Sequence, residues 1–399
     1  MPEKSVYAVG LDPGASVTRC VVGLVEDSTL HLLGFGEARS EGWQKGRITD
    51  QAAVSASILE AVHEAEGRAN VSVESCVVGI GGPTVRGANS RGSTDIGRPR
   101  EIEQRDVNRA VERASHVMLQ EDRMILQLFT QDFVVDGHPG HRDPRKLVAT
   151  SLEANIHIVT ASAQEHENLV GAVNKAHMTV EETVFEPIAA CYAAALPEDR
   201  REGLALVDVG AHSTEIVAYF GDALMLAWSL PVSGDHFTRD VVRGLHTSFE
   251  DALLLKAEYG CALVGLTGDS TLIEVPSPNG REPREAPRRI LNQILEARAE
   301  ELFRYVRREL ARVGMDHALM GGVLLTGGEA RLNGLCDVAE RVLNCQARKG
   351  LPMGIVDWPE ELDDPAWTTA AGLAMYSARL KIRGDLERRA AGLLGRIFR

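Results

Sequence analysis

The feature that most constrains the fold is a repetition. Near the start of the chain, a short β-branched run enters an Asp-x-Gly turn and leaves along a second strand. The turn at residues 9–14 is read in Gly10-Leu11-Asp12-Pro13-Gly14-Ala15-Ser16, between strands predicted at 6–11 and 18–24. The same arrangement returns at residues 207–210, in Val207-Asp208-Val209-Gly210-Ala211-His212-Ser213-Thr214-Glu215, between strands predicted at 204–209 and 215–220. Two similar halves imply a cleft between them.

Each turn places a carboxylate at a strand end, Asp12 in one half and Asp208 in the other. Glycine permits a tight turn whose successive backbone N–H groups point at a phosphate, and the carboxylate can hold a hydrated Mg²⁺ that bridges phosphate oxygens. A single Asp-x-Gly turn reads equally as an ordinary hairpin cap. Three further segments change that balance. Leu325-Thr326-Gly327-Gly328-Glu329-Ala330-Arg331-Leu332 is a buried-strand pattern running into a glycine turn and a helix, a geometry that admits an adenosine against backbone. Residues 185–196 and 367–376 are small-residue helical segments, carrying Pro187-Ile188-Ala189-Ala190-Cys191-Tyr192 and Ala370-Ala371-Gly372-Leu373-Ala374. They suit close crossing between two lobes that hinge about the cleft, and they also suit ordinary core packing.

Between the repeats, a helix is predicted at 50–65 and a buried strand at 73–79, after which the Gly/Arg/Ser-rich stretch 81–100 breaks the α/β rhythm and marks a subdomain boundary. A small insert then runs from about 83 to 160, with a helix at 105–117, strands at 124–135 and 152–159, and a turn-rich loop at 136–141. Residues 276–287 read as an exposed Pro-rich connection between helical segments. His138 and His141, with Asp136 and Asp143 nearby, sit in a loop without the helical or strand support a metal site needs, and are read as an exposed turn. His157 alternates inside a strand and is read as packed.

Composition narrows the function classes. A net charge of -14 argues against a nucleic-acid partner. The six cysteines are dispersed, which indicates neither a zinc site nor a disulfide framework and fits a reducing cytoplasm. No run of eighteen or so apolar residues goes without charge, so no spanning helix is predicted, and the opening MPEKSVYAVGLD enters a strand at once, reading as a chain that is not secreted. The end of the chain reverses sign: residues 379–399 hold seven Lys/Arg against two acids, a local +5. Leu386, Ala390, Leu393, Leu394 and Ile397 recur there at helical spacing, with Arg388, Arg389, Arg396 and Arg399 flanking the stripe. This basic amphipathic pattern fits a surface-lying helix or a terminal helix packed on its own domain.

In order, the two phosphate turns, the two connectors and the adenosine turn resemble the nucleotide signature of the actin, sugar-kinase and heat-shock chaperone superfamily. The insert resembles the subdomain peculiar to the FtsA cell-division family, through Gly81-Gly82-Pro83, Glu101-Ile102, Asp106-Val107, Asp122-Arg123-Met124-Ile125-Leu126, Gln131-Asp132-Phe133-Val134-Val135-Asp136-Gly137 and Leu152-Glu153-Ala154-Asn155-Ile156-His157. Residues 234–240 and 255–262 resemble the FtsA segment that closes over the nucleotide, so the likeness spans almost the whole chain. It implies an α/β, two-lobed, actin-like (ribonuclease H-like) fold with an FtsA-type inserted subdomain. The expected division is first lobe 1–82, insert 83–161, first-lobe continuation and connector 162–196, second-lobe core 197–229, helical subdomain 230–319, second-lobe core and final connector 320–378, and tail helix 379–399.

The resemblance implies ATP and Mg²⁺ as ligands. Asp12 and Asp208 would face the metal, through water; Gly14, Ala15, Ser16, Gly210, Ala211, His212 and Ser213 would line the phosphates; Gly234, Gly327 and Gly328 would approach by backbone, with Lys256 near the adenosine. Glu186 would orient an attacking water, with Asp208 and Asp12 as the other catalytic candidates. Ala211 and His212 stand where the family usually has glycines, Glu215 where it has an aspartate, and Leu253 where it commonly has a glutamate. These departures imply weak or absent hydrolysis. The resemblance further implies self-association into filaments, capture of the FtsZ C-terminal peptide by the helical lobe around 230–320, contact with other division proteins, and a tail that lays Leu393, Leu394, Arg396, Ile397, Phe398 and Arg399 on the anionic cytoplasmic face of the inner membrane at the division site. The competing expectations are an actin-like scaffold of a pilus or secretion apparatus, and a small-molecule kinase, which would need a substrate-side base that the sequence does not offer.

Overall fold

The computed structural model describes residues 6–268, 270–278 and 282–397, with side chains as far as residue 384. Its core is a duplicated five-strand unit. In the first half the strands lie in the order Thr179–Phe185, Ser75–Ile80, Tyr7–Pro13, Val17–Glu26, Thr29–Arg39. The first three run parallel and the last two pair antiparallel. In the second half the order Ala347–Lys349, Gly322–Thr326, Leu204–Val209, Thr214–Phe220, Ala223–Leu230 repeats the same sequence of directions. Parallel strands covered on both faces need apolar residues on both, and Leu204–Val209 and Gly322–Thr326 are buried along their whole lengths.

Register places the chemistry. In the first hairpin Asp12 pairs with Arg19; in the second Asp208 pairs with Glu215. Cross-strand partners share a face, so each half sends an aspartate and a second ionisable side chain toward the same space.

Helices cover the sheets. Asp50 caps Gln51–Ala69 by accepting the N–H groups of Ala52 and Ala53, and the helix buries Val54, Ile58, Ala61, Val62 and Ala65 against the first sheet. The predicted connectors are the helix Glu186–Ala194 and the start of Thr368–Ile397; their small residues let them pack closely. Connector and tail form one continuous helix to Ile397. The tail residues Phe398 and Arg399 lie outside the described residues, and for Leu393, Leu394, Arg396 and Ile397 the backbone alone is described. Among the described residues no helix is long and apolar enough to cross a membrane.

The stretch 81–100, read from sequence as a break in the rhythm, is instead the long strand Arg86–Glu101. With Val148–Ser162, Arg123–Val135 and His138–His141 it extends the second half's sheet to nine strands. The junction is a single pair, Trp228 with Arg86. Helix Gln104–Ser115 closes this insert, burying Ala110 and Ala114 with Phe133, Leu152 and Ile156. The Pro-rich segment also differs from its reading: Arg284–Pro287 is a strand that pairs with Leu272–Val275.

Candidate functional site

The two hairpin turns open into one cavity of about 670 Å³, a size typical of small-molecule sites. Asp12, Gly14, Ala15 and Ser16 line it from the first turn, and Asp208, Gly210, Ala211, His212 and Ser213 from the second. Gly234 enters from the start of helix Gly234–Leu245, Lys256 from helix Phe249–Tyr259, and Gly327 and Gly328 from the turn after Gly322–Thr326. Glu186 reaches it as the first residue of its helix. The structure therefore brings together every sequence-predicted residue of the cleft.

Backbone contacts fix the second turn. Gly234 N–H donates to Gly210 O and Asp235 N–H to Ala211 O, both at 2.9 Å, which ties the helix start to the turn. Neither Ala211 nor His212 takes a positive φ, so this turn forms without the left-handed backbone that glycine would supply. The His212 ring lies 3.6 Å from the Asp235 carboxylate, while burial holds its pKa down. Gly327 does have φ +85°, and a side chain there would collide with the Asp208 carboxylate.

Four carboxylates crowd the floor. Burial, opposed by Arg19 and reinforced by Asp208, pushes Asp12 up to about 7. Burial also raises Asp208, whose carboxylate accepts a 2.8 Å hydrogen bond from Thr369 Oγ1. Glu186 is raised well above the carboxylate range, by burial first and then by Asp12, Glu215 and Asp208. Glu215 is pushed up to about 7, again by burial and then by Asp208. Like charges held together out of water call for a cation. Among the described residues no three His, Cys, Asp or Glu side chains stand close enough to ligate a metal directly; the carboxylates of Asp12 and Asp208 are of the donor type that would hold a Mg²⁺ through its water shell.

Glu215 also crosses the cleft. Gly82 N–H, at the end of the first half's strand Ser75–Ile80, donates to Glu215 Oε1 at 2.9 Å, and Ser229 Oγ donates to the same oxygen at 3.3 Å. At the other end Lys256 Nζ donates to Glu329 Oε2 at 2.6 Å, a pair about nine-tenths buried. Glu329 Oε1 is closed from water without a partner, and its pKa is raised because burial outweighs Lys256. Leu253 lines the same wall as a hydrocarbon.

Sequence reasoning did not assign Arg19 or Glu329 to the cleft. The register of the first hairpin, which sets Arg19 opposite Asp12, was the available signal for the former; Glu329, as part of the glycine turn, gave none beyond its position.

The raised Glu215 has a testable consequence. An unfolded glutamate titrates near 4.5, so with a folded value of about 7 the native state holds the proton more tightly, and stability falls as pH rises through that interval. Glu215→Gln removes the titration and keeps an oxygen for Gly82 N–H. Its melting temperature relative to wild type is expected to rise between about pH 5 and about pH 8; a gap independent of pH, or one that narrows, contradicts the assignment.

Comparison with known proteins agrees with this architecture. Residues 205–372 match the family model "Cell division protein FtsA" and residues 82–160 match "SHS2 domain inserted in FTSA". The cell division protein FtsA of Pseudomonas aeruginosa is 32% identical over 94% of this chain and 90% of its own length; that of Escherichia coli K12 is 30% identical over 95% and 92%. Among solved structures, the PilM-PilN type IV pilus biogenesis complex superposes with TM-score 0.69 at 18% identity, covering 94% of this chain and 99% of that one. MreB5 of Spiroplasma citri bound to AMPPNP gives 0.57 at 12%, covering 97% and 99%. At those identities the structural likeness establishes the actin-like fold alone, whereas the sequence matches establish kinship: this chain belongs to the FtsA family of cell-division proteins.

Proposed function

We propose that the protein is an ATP-binding, self-associating membrane adaptor that holds FtsZ filaments against the cytoplasmic face of the inner membrane at the division site. One observation carries the nucleotide part: two Asp-bearing turns from duplicated halves converge on a single cavity of about 670 Å³. The neighbour that was solved with AMPPNP shares this fold.

In this reading Asp12 and Asp208 hold the waters of a Mg²⁺, which would neutralise phosphate charge. The backbone of Gly14, Ala15 and Ser16 and of Gly210, Ala211, His212 and Ser213 faces the phosphates. Gly234, Gly327 and Gly328 admit the nucleoside, with Lys256 beside it. Glu186, which opens its helix beside the cavity, would orient the attacking water. Weak or absent ATPase activity is expected from the departures at Ala211, His212, Glu215 and Leu253, which weaken phosphate and sugar contacts. Filament formation then presents many tail helices at once, each worth roughly 1 kcal/mol per cation near an anionic surface, so weak single anchors add into firm attachment.

Full-length chain with Mg·ATP is expected to pellet with anionic liposomes and to bring FtsZ with it, whereas a chain ending at Leu386 stays in the supernatant with FtsZ. Equal pelleting of the two chains removes the tether, and pelleting without FtsZ removes the adaptor role.

A further inference from the structure

One charged pair in the cleft is left incomplete by its own contacts. Lys256 Nζ donates to Glu329 Oε2 at 2.6 Å and to Gly234 O at 3.4 Å, which engages two of an ammonium's three donors. Glu329 Oε1 accepts from nothing and is closed from water, on a side chain only 8% exposed that lines the cavity. A buried acceptor without a donor is costly, and more so on a charged group. A ligand that brings a donor to it removes that cost. The last torsion of a glutamate side chain is soft, so turning the carboxylate alone offers one oxygen to the cavity while the other keeps Lys256.

The position of the pair decides which part of a nucleotide meets it. Gly234 joins the pair to the second turn. Its N–H donates to Gly210 O at 2.9 Å, its carbonyl accepts from Lys256, and a Cβ added to it would stand 2.7 Å from Glu329 Oε2. Beside Lys256 the same helix lines the cavity with hydrocarbon, Leu253 and Ala257. With phosphates at the turn, the next group along a nucleotide is its sugar, and the apolar wall suits the flat face of a base. A ribose carries two neighbouring hydroxyls, each able to donate and to accept.

Resting on the nucleotide reading above, we infer that Glu329 is a specificity-determining residue for the sugar: its carboxylate accepts one hydroxyl of the ligand's vicinal diol, while the remaining Lys256 N–H donates to the other. A site built to bond hydroxyls rejects an analogue that lacks them, because its buried polar groups are then left unpaired. The pair therefore selects ribose nucleotides over deoxygenated ones.

The test is calorimetric titration of the full-length chain and of Glu329→Ala and Glu329→Gln with ATP and with 2′,3′-dideoxy-ATP. Both ligands carry the same phosphates and base, so the ratio of their affinities reads the diol alone, and a general loss of binding leaves it unmoved. Wild type is expected to bind ATP about tenfold or more tightly than the dideoxy analogue, the range for a hydrogen bond to a charged group. The ratio falls in E329Q, whose amide keeps only a neutral partner, and is lost in E329A. Wild type that binds neither ligand overturns the nucleotide reading and this inference with it. Wild type that binds both equally, or a folded E329A that keeps the wild-type ratio, overturns this inference alone. Where E329A does not fold, E329Q decides: a smaller ratio supports the carboxylate contact, and an unchanged ratio overturns it.

Discussion

Asp208→Asn is expected to lower the affinity for Mg·ATP by roughly 10- to 100-fold, the range for losing a charged hydrogen-bonding partner, while leaving ATP binding in excess chelator unchanged. Asp208 ends strand Leu204–Val209, is 7% exposed, and is held by Thr369 Oγ1 at 2.8 Å. Asparagine keeps the shape and one oxygen for Thr369, so under the proposed Mg·ATP binding the change would remove charge from beside the metal's water shell and little else. The ligand-free protein gains from the same change, because one of four crowded, buried carboxylates becomes neutral. The variant therefore has a melting temperature at or above that of wild type, and the upward shift caused by Mg·ATP shrinks with the lost affinity. Paired titrations with and without chelator check this. D208N that binds Mg·ATP as wild type does, or that loses affinity equally in chelator, removes Asp208 from the metal site.

Much of this arrangement is legible in the sequence because it is local. An Asp-x-Gly turn between β-branched runs announces both its hairpin and its carboxylate, and the second copy at Asp208 announces the cleft. What escapes is set by register and long-range packing. Strand Arg86–Glu101 is exposed over most of its length and carries glycines and arginines where alternating apolar residues would betray a strand. Its order comes from the ladder to Val148–Ser162, a partner far along the chain. Glu215 looks like a lengthened copy of a turn carboxylate, and only the folded cleft puts Gly82 N–H within its reach. The Lys256 ammonium, taken from sequence as a nucleoside contact, is engaged by Glu329, an approach between two segments that no local pattern encodes. The departures at Ala211 and His212 mislead in one respect: the turn they occupy does not demand positive φ.

The two connectors couple that cleft to the core. Glu186 opens one helix and Thr369 lies in the first turn of the other, so the crossing between Glu186–Ala194 and Thr368–Ile397 fixes where both side chains sit. Gly372 lies at the point of closest approach, where an added Cβ would overlap the Ala189 carbonyl oxygen. In an exposed helix, Gly→Ala stabilises by roughly 0.5–1 kcal/mol through backbone entropy. Here the sign reverses: Gly372→Ala forces two buried helices apart, at about 1–3 kcal/mol for overpacking, and Gly372→Val costs more. Separation also draws Thr369 away from Asp208, so Mg·ATP affinity falls along with the melting temperature. Thermal melts of wild type, G372A and G372V, each with and without Mg·ATP, read both effects. G372A that melts at or above wild type would show that the helices do not meet at this glycine, and that the lobes are hinged elsewhere.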